Sequence, residues 1–380
     1  MIPIMRPVMG DAEEAAVLRV LRSGWITQGA EVAAFEEAFA AQVGAPFACA
    51  VSSCTTALHL ALLVAGVGPG LEVITASHSF IASANAVRYC GADPVFVDIE
   101  PHTFNMDPCL LEQAITARTA AILCVHQMGM PCDLEAILAI AARHGLPVIE
   151  DAACAAGSEI RWHDRWEPVG RPHGDIACFS FHPRKVISTG EGGMITTARP
   201  DWDERFRRLR QHAMSIPDTR RHAANTVSFE SYPEVGYNYR MTDIQAALGR
   251  EQLKRLLDIV RVRRARAARY GALLKTRPEL ELPHEPTWAR SNWQSFCVRL
   301  PAGIDQAAVM QGLLDEGIAT RRGIMCAHRE PAHGVPDRSA ALPVSEFAQD
   351  RGLLLPLHHT LTDEEQDHVV SALVRACALD

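Results

Sequence analysis

The chain has 380 residues, of which 48% are hydrophobic, and a formal net charge of −8 at pH 7. This length is sufficient for two domains, and the composition is typical of a globular protein. The acidic balance argues against nucleic acid as a partner, because a phosphate backbone requires a basic face. A basic run over residues 261–269 is predicted to be the solvated side of a helix, with a polyanion site as the alternative.

The sequence carries no clear targeting, membrane or metal-binding signal. Its first residues lack the charged and apolar segments of a signal peptide, and no run approaches the length of a membrane span. The eleven cysteines include no Cys-x-x-Cys spacing. We therefore expect buried free thiols, no metal centre, no membrane partner and a cytoplasmic location.

The first predicted structural unit is a strand at 47–51 followed by a helix at 55–65. The link between them is Ser52-Ser53-Cys54. Free backbone N–H groups and the helix dipole make such a junction a candidate anion site, to which the hydroxyl groups add donors. Ordinary capping of the helix by serine and threonine is the alternative.

A second strand, at 72–75, is followed by an aromatic residue, Phe80. This ring could stack on a planar ligand, although phenylalanine is also common in protein cores. Further strands are predicted at 94–98 and 121–126, and a helix at 134–144. The chain therefore alternates between strands and helices.

The fifth predicted strand, at 147–150, places Asp151 at its carboxyl end. Ligands bind at that edge of open parallel sheets. The carboxylate could cap the alanine-rich segment that follows. It could also pair with a buried cation, such as the protonated nitrogen of a pyridine cofactor.

Lys185 lies between two apolar, strand-like runs at 176–181 and 194–197. Pro183 prevents a regular helix between them, and the glycines of 190–193 allow a tight turn. The lysine could extend to water along its apolar stem. In a pocket of low dielectric, however, its amine would have a lowered pKa and could form a Schiff base with an aldehyde.

The alternation of strands and helices predicts an α/β fold with a mostly parallel, seven-stranded central sheet covered by helices. The last two strands are joined too tightly for a crossover helix, so they should be antiparallel. A long helical stretch from Met241 to Leu274 and a smaller α+β unit follow. We predict a large domain over 1–250, which includes the N-terminal arm, and a small domain over 251–380, which includes the bridging helix.

Four segments occur in the order that is found in the sugar aminotransferases of the DegT/DnrJ/StrS family, and the chain resembles that family over nearly its whole length. The segments are Ser-Ser-Cys-Thr-Thr-Ala-Leu-His-Leu (52–60), Glu-Asp-Ala-Ala-Cys-Ala (150–155), Ser-Phe-His-Pro-Arg-Lys with Gly-Glu-Gly-Gly (180–193) and Gly-Tyr-Asn-Tyr-Arg-Met (236–241). The resemblance implies a fold-type-I enzyme dependent on pyridoxal phosphate (PLP). It would move an amino group from glutamate or glutamine to a keto sugar linked to a nucleotide.

The resemblance also implies which residues contact the cofactor. Lys185 would form the Schiff base and move protons during the reaction, Asp151 would bond the pyridinium nitrogen, and Phe80 would stack on the ring. The other implied contacts are Cys54, Thr55 and Ser180 to the phosphate, Cys154 near the ring hydroxyl, and Asn238, which would reach the phosphate from the second subunit of a homodimer with shared active sites.

Residues near these motifs are predicted to contact the substrates, although packing or a surface salt bridge is the alternative for each. The guanidinium groups of Arg321 and Arg322 suit a carboxylate or a diphosphate. The remaining candidates are Trp25, Thr27, Gln28, His182, Arg184, Tyr237, and Trp293 with Gln294.

The sequence departs from the family pattern at two places. Cys154, a weak hydrogen-bond donor, stands where family members often have glutamine or histidine. Gln127 and Met128 replace the middle pair of a His-Leu-Tyr-Gly pattern, which affects the expected shape of the substrate pocket.

Three other functions are compatible with parts of the pattern. They are a PLP enzyme acting on a non-sugar ketone such as a cyclitol, a PLP-dependent sugar dehydratase, and a non-catalytic PLP-binding protein. The dehydratases that resemble this family have histidine in place of the lysine, so Lys185 argues against that function. The intact set of Lys185, Asp151, Ser180 and Asn238 argues against a purely binding role.

Overall fold

The structure is a computed structural model that describes residues 1–216, 227, 229–333 and 341–378. The strands are β1 Phe47–Val51, β2 Glu72–Ala76, β3 Asp93–Val97, β4 Thr119–Val125, β5 Val148–Asp151, β6 Glu159–Trp162, β7 Arg165–Pro168, β8 Ile176–Ser180, β9 Gly193–Thr197, β10 Ala289–Arg290, β11 Phe296–Arg299, β12 Arg321–Arg322 and β13 Gly352–Leu355. The α-helices are α1 Asp11–Ser23, α2 Ala30–Val43, α3 Cys54–Val64, α4 Ala82–Tyr89, α5 Leu111–Ala114, α6 Leu134–His144, α7 Pro200–Leu209, α8 Asp243–Lys254, α9 Leu256–Leu274, α10 Gln306–Asp315, α11 Pro343–Arg351 and α12 Asp363–Ala376.

Seven strands form the central sheet in the order β1-β9-β8-β5-β4-β2-β3. The pairs from β3 to β8 are parallel, whereas β9 is antiparallel to both β8 and β1. The predicted α/β fold with a mostly parallel sheet and an antiparallel last pair is therefore confirmed. Because β5 and β8 are parallel neighbours, their terminal residues Asp151 and Ser180 lie at the same edge of the sheet.

Helices cover both faces of this sheet, and each face has its own apolar cluster. Alternate side chains of a strand point to opposite faces. In β8, Phe179 packs with Phe35 and Phe39 on one face, whereas Cys178 packs with Leu58 on the other. All five residues of β8 and of β9 are buried, which is why both strands read as continuous apolar runs.

A second, antiparallel sheet of β11, β13 and β12 has a separate core. Tyr270 of α9 belongs to this core, and its hydroxyl donates a hydrogen bond to the carbonyl of Pro356 at 2.9 Å. The start of the chain also reaches it, since Ile2 packs there and its N–H donates to the carbonyl of Gly317 at 2.7 Å. The division of the chain at residue 250 stays a prediction.

Three local features differ from the sequence-based expectations. The helical stretch over 241–274 consists of two helices, α8 and α9, separated at Arg255. The hairpin of β6 and β7, which pairs with β10, was not predicted. The basic run at 261–269 is only partly solvated, because Arg263 is completely buried.

Among the helices that the structure describes, none combines the length and the apolar character needed to cross a bilayer. The described part of the chain also contains no group of three or more His, Cys, Asp or Glu side chains that could hold a metal ion.

Buried His78 makes the stability of the fold sensitive to acid. Burial lowers its pKa from 6.5 to about 3, and neither ring nitrogen has a hydrogen-bond partner among the described residues. The unfolded chain therefore binds a proton at this residue between these two pH values, whereas the folded chain does not. Stability present above pH 6.5 is lost as the pH falls, by about 1.4 kcal/mol per pH unit.

We expect a His78→Leu variant to lose less stability than the wild type when the pH falls from about 6.5 to about 4.5. Urea unfolding over this range measures the difference, and substitution of the exposed His368 by leucine is the control. An equal loss in the wild type and the His78 variant would contradict the role of His78.

Candidate active site

The junction between β1 and α3 forms an anion-binding geometry. Ser53 is the N-cap of α3, and its hydroxyl oxygen accepts a hydrogen bond from the N–H of Thr56 at 3.2 Å. Cys54 and Thr55 occupy the first turn, where backbone N–H groups have no acceptor within the helix. This helix end therefore presents free donors and the positive end of the helix dipole.

Gly193, at the start of β9, allows the sheet to approach this junction closely. A Cβ atom at residue 193 would lie 2.5 Å from both the carbonyl carbon and the carbonyl oxygen of Ser53. Any larger residue must therefore displace the backbone of the junction. The sequence predicts a turn at the glycines of 190–193 but gives no signal for this packing requirement, which depends on the pairing of β9 with β1.

Asp151, at the end of β5, is 5% exposed, and both of its carboxylate oxygens accept hydrogen bonds. Its Oδ2 accepts from the hydroxyl of Ser83 at 2.7 Å, and its Oδ1 accepts from the N–H of Ala153 at 3.1 Å. Ser83 lies on α4, one turn after Phe80, whose side chain is 57% exposed. Ser83 was not predicted, although it lies only three residues after Phe80, in the first turn of α4.

The amine of Lys185 contacts Cys154. Its Nζ donates a hydrogen bond to the Sγ atom at 3.0 Å. Burial acts to lower the pKa of Lys185, but Cys154, followed by Asp151 and Cys54, outweighs burial and raises this pKa above 10.5. The predicted lowering of the Lys185 pKa was therefore wrong, because the neighbouring acidic groups outweigh the effect of the low dielectric.

The thiol of Cys54 points into the interior of the protein. Its Sγ lies 3.5 Å from the carbonyl of Cys178 and 4.0 Å from Oδ1 of Asp151. Burial, followed by the charge of Asp151, raises the pKa of Cys54 well above 9. The thiol therefore stays neutral, and contact with an anion must involve the backbone N–H of this residue.

Ser180 and the segment around Asn238 lie beside the same edge. The hydroxyl of Ser180 accepts from the N–H of His182 at 3.4 Å. Asn238 is exposed, and the adjacent Tyr239 accepts at its carbonyl from the N–H of Ser52 at 2.8 Å. Tyr237 stacks on Tyr239 with 4.9 Å between ring centroids.

A group of cationic side chains lies near Lys185. Burial lowers the pKa of Arg184, and the charge of Arg321 lowers it further. Burial also lowers the pKa of His182. The charge of Glu191 opposes this effect, whereas the charges of Arg184, Lys185 and Arg321 lower the pKa further. Arg321 therefore lies close to both residues and has no salt bridge within the described part of the chain.

The other predicted substrate residues occupy two different places. Arg322 forms a salt bridge with Glu330 at 3.5 Å, so its charge is already paired. Trp25 donates from its indole nitrogen to the carbonyl of Gln28 at 3.1 Å, and the carbonyl of Thr27 accepts from the N–H of Asp243 at 3.1 Å. These contacts fix the 25–28 loop to the start of α8.

A groove of about 960 Å³ lies elsewhere, along the edge strand β3, with Arg88, Asp98, His328 and His333 among its lining residues. None of the predicted site residues lines this groove. The site is therefore assigned by its chemical groups rather than by cavity size. The lysine amine suits the aldehyde of PLP, and the buried carboxylate suits its ring nitrogen. The exposed aromatic ring suits the face of the PLP ring, and the helix N-terminus suits its phosphate.

Comparisons with known proteins agree with this chemistry. The family model of the DegT/DnrJ/EryC1/StrS aminotransferase family matches residues 7–374. Over 378 residues the chain is 38% identical to the spore coat polysaccharide biosynthesis protein SpsC of Bacillus subtilis (strain 168), covering 98% of this chain and 96% of SpsC. It is 40% identical to GDP-perosamine synthase of Caulobacter vibrioides over 378 residues, covering 98% of this chain and 97% of that enzyme.

The fold is also similar to that of Spr1654 from Streptococcus pneumoniae in its PMP form, the pyridoxamine form of the cofactor. The TM-score is 0.92 at 28% sequence identity, and the match covers 100% of this chain and 99% of that chain.

We expect Gly193→Ala to weaken PLP binding by about tenfold or more, because the new Cβ must displace the backbone of the anion-binding junction. Gly271→Ala is the matched control, since that glycine lies inside α9 and its Cβ would meet no atom within 4 Å. The control should increase stability by about 0.5–1 kcal/mol. Titration of each protein with PLP measures affinity, and urea unfolding measures stability. Unchanged PLP affinity in the Gly193 variant would contradict the assignment of the junction.

Proposed function

The chain belongs to the DegT/DnrJ/EryC1/StrS aminotransferase family, whose aminotransferases depend on PLP, and from this premise we propose that it transfers an amino group from L-glutamate, or from glutamine, to the keto group of a nucleotide-linked sugar. The contact between Lys185 and Cys154, next to the buried Asp151, is the observation that carries this proposal. The similarity to GDP-perosamine synthase supports a sugar linked to GDP as the first acceptor to test. The similarity to SpsC supports a role of the product in the biosynthesis of a polysaccharide.

When bound, PLP accepts the electrons released at the carbon that carries the amino group. In this proposal Lys185 would hold the aldehyde and then move a proton between that carbon and the aldehyde carbon (C4′) of the cofactor. Its hydrogen bond to Cys154 and the charge of Asp151 would stabilise the charged amine that results when the lysine takes the proton. Asp151 keeps the ring nitrogen protonated, and Ser83 and Ala153 fix the orientation of its carboxylate.

The phosphate would be bound at the β1–α3 junction. The N–H groups of Cys54 and Thr55 and the hydroxyls of Thr55 and Ser180 supply the donors in this assignment. Cys154 takes the place near the ring hydroxyl, where its thiol is also within reach of the lysine amine. Phe80 would stack on the ring, which its exposure permits.

Both proposed substrates carry negative charge, and several of the proposed substrate contacts are cationic side chains. Arg321, together with Arg184 and His182, would bind the carboxylates of the donor and the diphosphate of the sugar nucleotide. Arg322 would contribute less, because Glu330 already pairs with it. Trp25, Thr27, Gln28 and Tyr237 remain proposed contacts to the acceptor.

We also propose a homodimer in which Asn238 of one protomer reaches the phosphate site of its partner. Exposed aromatic surface supports this. Tyr89 is 57% exposed and contacts His59, which in turn contacts Tyr237 beside Asn238. Such an exposed aromatic surface is typical of a protein interface.

The amino donor is tested by the visible absorbance of the PLP-loaded protein before and after L-glutamate is added. We expect conversion to the pyridoxamine form, which a nucleotide-linked keto sugar should reverse. Lys185→Ala, which lacks the amine, should show neither change. A panel that includes GDP-linked keto sugars and cyclitol ketones identifies the acceptor class. Conversion by glutamine alone would correct the donor, and reversal only by cyclitol ketones would overturn the sugar assignment.

The shared site is tested by mixing two inactive proteins, Lys185→Ala and Asn238→Ala. If Asn238 acts on the partner's site, each hybrid dimer has one complete site. Random exchange should then restore about a quarter of the wild-type activity. Subunit exchange is verified with a tag on one variant. Hybrids that form but show no recovery would count against a role for Asn238 across the interface.

A further inference from the structure

Arg263, on α9, is a fully buried guanidinium without an acidic partner. No carboxylate of the described residues forms a salt bridge with it, and its side chain is 0% exposed. Burial lowers its pKa to about 9. A buried charge destabilises a fold unless other groups compensate for it. The groups that contact Arg263 therefore indicate the role of this residue.

Its hydrogen bonds all lead to the 292–294 turn, apart from one contact with the sulfur of Met5 at 3.3 Å. Nε and Nη2 donate to the carbonyl of Trp293 at 2.9 and 2.7 Å, and Nη2 also donates to the carbonyl of Gln294 at 2.7 Å. Trp293 has a φ of 52°, a left-handed conformation that is unfavourable for a bulky residue. Arg263 therefore holds two adjacent carbonyls of a strained turn in one orientation.

The same turn contacts the chain on both sides of the Lys185–Cys154 pair. The side-chain amide of Gln294 donates to the carbonyl of Arg184, the residue before the lysine. The side-chain amide of Asn292 donates to the carbonyl of Cys154 at 2.7 Å and to that of Ala156 at 2.9 Å. The backbone of both pair members is thus anchored to one turn.

We propose that Arg263 and the 292–294 turn are positioning elements that set the contact between the Lys185 amine and Cys154. Removing either anchor lets the two segments move apart and weakens the contact that favours the charged lysine. The inference rests on the proposed role of Lys185 but is independent of the amino donor and of the sugar.

If the 292–294 turn served stability alone, its loss would have a different effect on the folded protein. Its loss would lower the free energy of unfolding without changing the protonation of Lys185 in the folded protein. The positioning role predicts a lower pKa of the free lysine, because burial then acts with less compensation from Cys154. These two roles can be separated by a measurement on the folded enzyme.

The test compares Gln294→Met, which removes the donor to Arg184 but conserves side-chain size, with Arg263→Met and with the double variant. The readout is the pH dependence of the rate at which the PLP-free protein captures PLP, followed by visible absorbance, because only the neutral amine attacks the aldehyde. Cys154→Ala is the positive control. Arg261→Met is the matched control on the same helix, since Arg261 is exposed and pairs only with Asp258 among the described residues.

We expect the midpoint of this profile to fall by at least about half a pH unit in both single variants and in Cys154→Ala. The rate of reaction with the amino donor should fall by about tenfold or more. The double variant should have the same midpoint as the single variants, because both substitutions act through the 292–294 turn. Arg261→Met should match the wild type.

Midpoints equal to the wild type in folded Gln294→Met and Arg263→Met would overturn the proposal. If Arg263→Met does not fold, Gln294→Met decides the question, because methionine conserves the size of the side chain and the backbone contacts of residue 294 remain. A wild-type protein that captures PLP but reacts with no amino donor would overturn the proposed function and leave this inference testable.

Discussion

The constraint on which the site depends is the placement of a lysine amine where burial opposes its charge. Cys154 and Asp151 offset this opposition and keep the pKa of Lys185 above that of a free lysine. In the proposed reaction, the same two groups would stabilise the charged amine that forms when Lys185 takes up a proton. The positions of β5, β8 and the Cys154 segment thus bring two acidic groups to one amine.

The topology of the sheet provides that arrangement with few residues. Asp151 and the turn to Lys185 follow parallel neighbours, β5 and β8, so they come to the same edge without a long connection. The antiparallel return of β9 then places Gly193 against Ser53, which brings the anion-binding junction to the same edge. One loop over 181–192 thus links the lysine to the proposed phosphate site.

Local patterns were sufficient to predict the strands of the central sheet, because each buried strand is a short apolar run. They also located Asp151 and Lys185, and the family resemblance supplied the cofactor. They could not predict that Arg263 is buried, because a basic run looks the same whether or not one member points inward. The raised pKa of Lys185 was missed for a similar reason, since it depends on Cys154, a residue 31 positions away.

The unpaired charge of Arg321 explains how one pocket can serve two unlike substrates in the proposed reaction. An amino-acid donor and a diphosphate-linked sugar differ in shape, but both carry negative charge. Arg322, its neighbour, pairs with Glu330 and so has less charge to offer. A guanidinium that no acid neutralises within the described residues, next to Arg184 and His182, attracts either anion without requiring a fixed outline. Selection between ketones would then depend on the uncharged groups around the site, and the effect of Gln127 and Met128 on its shape stays a prediction.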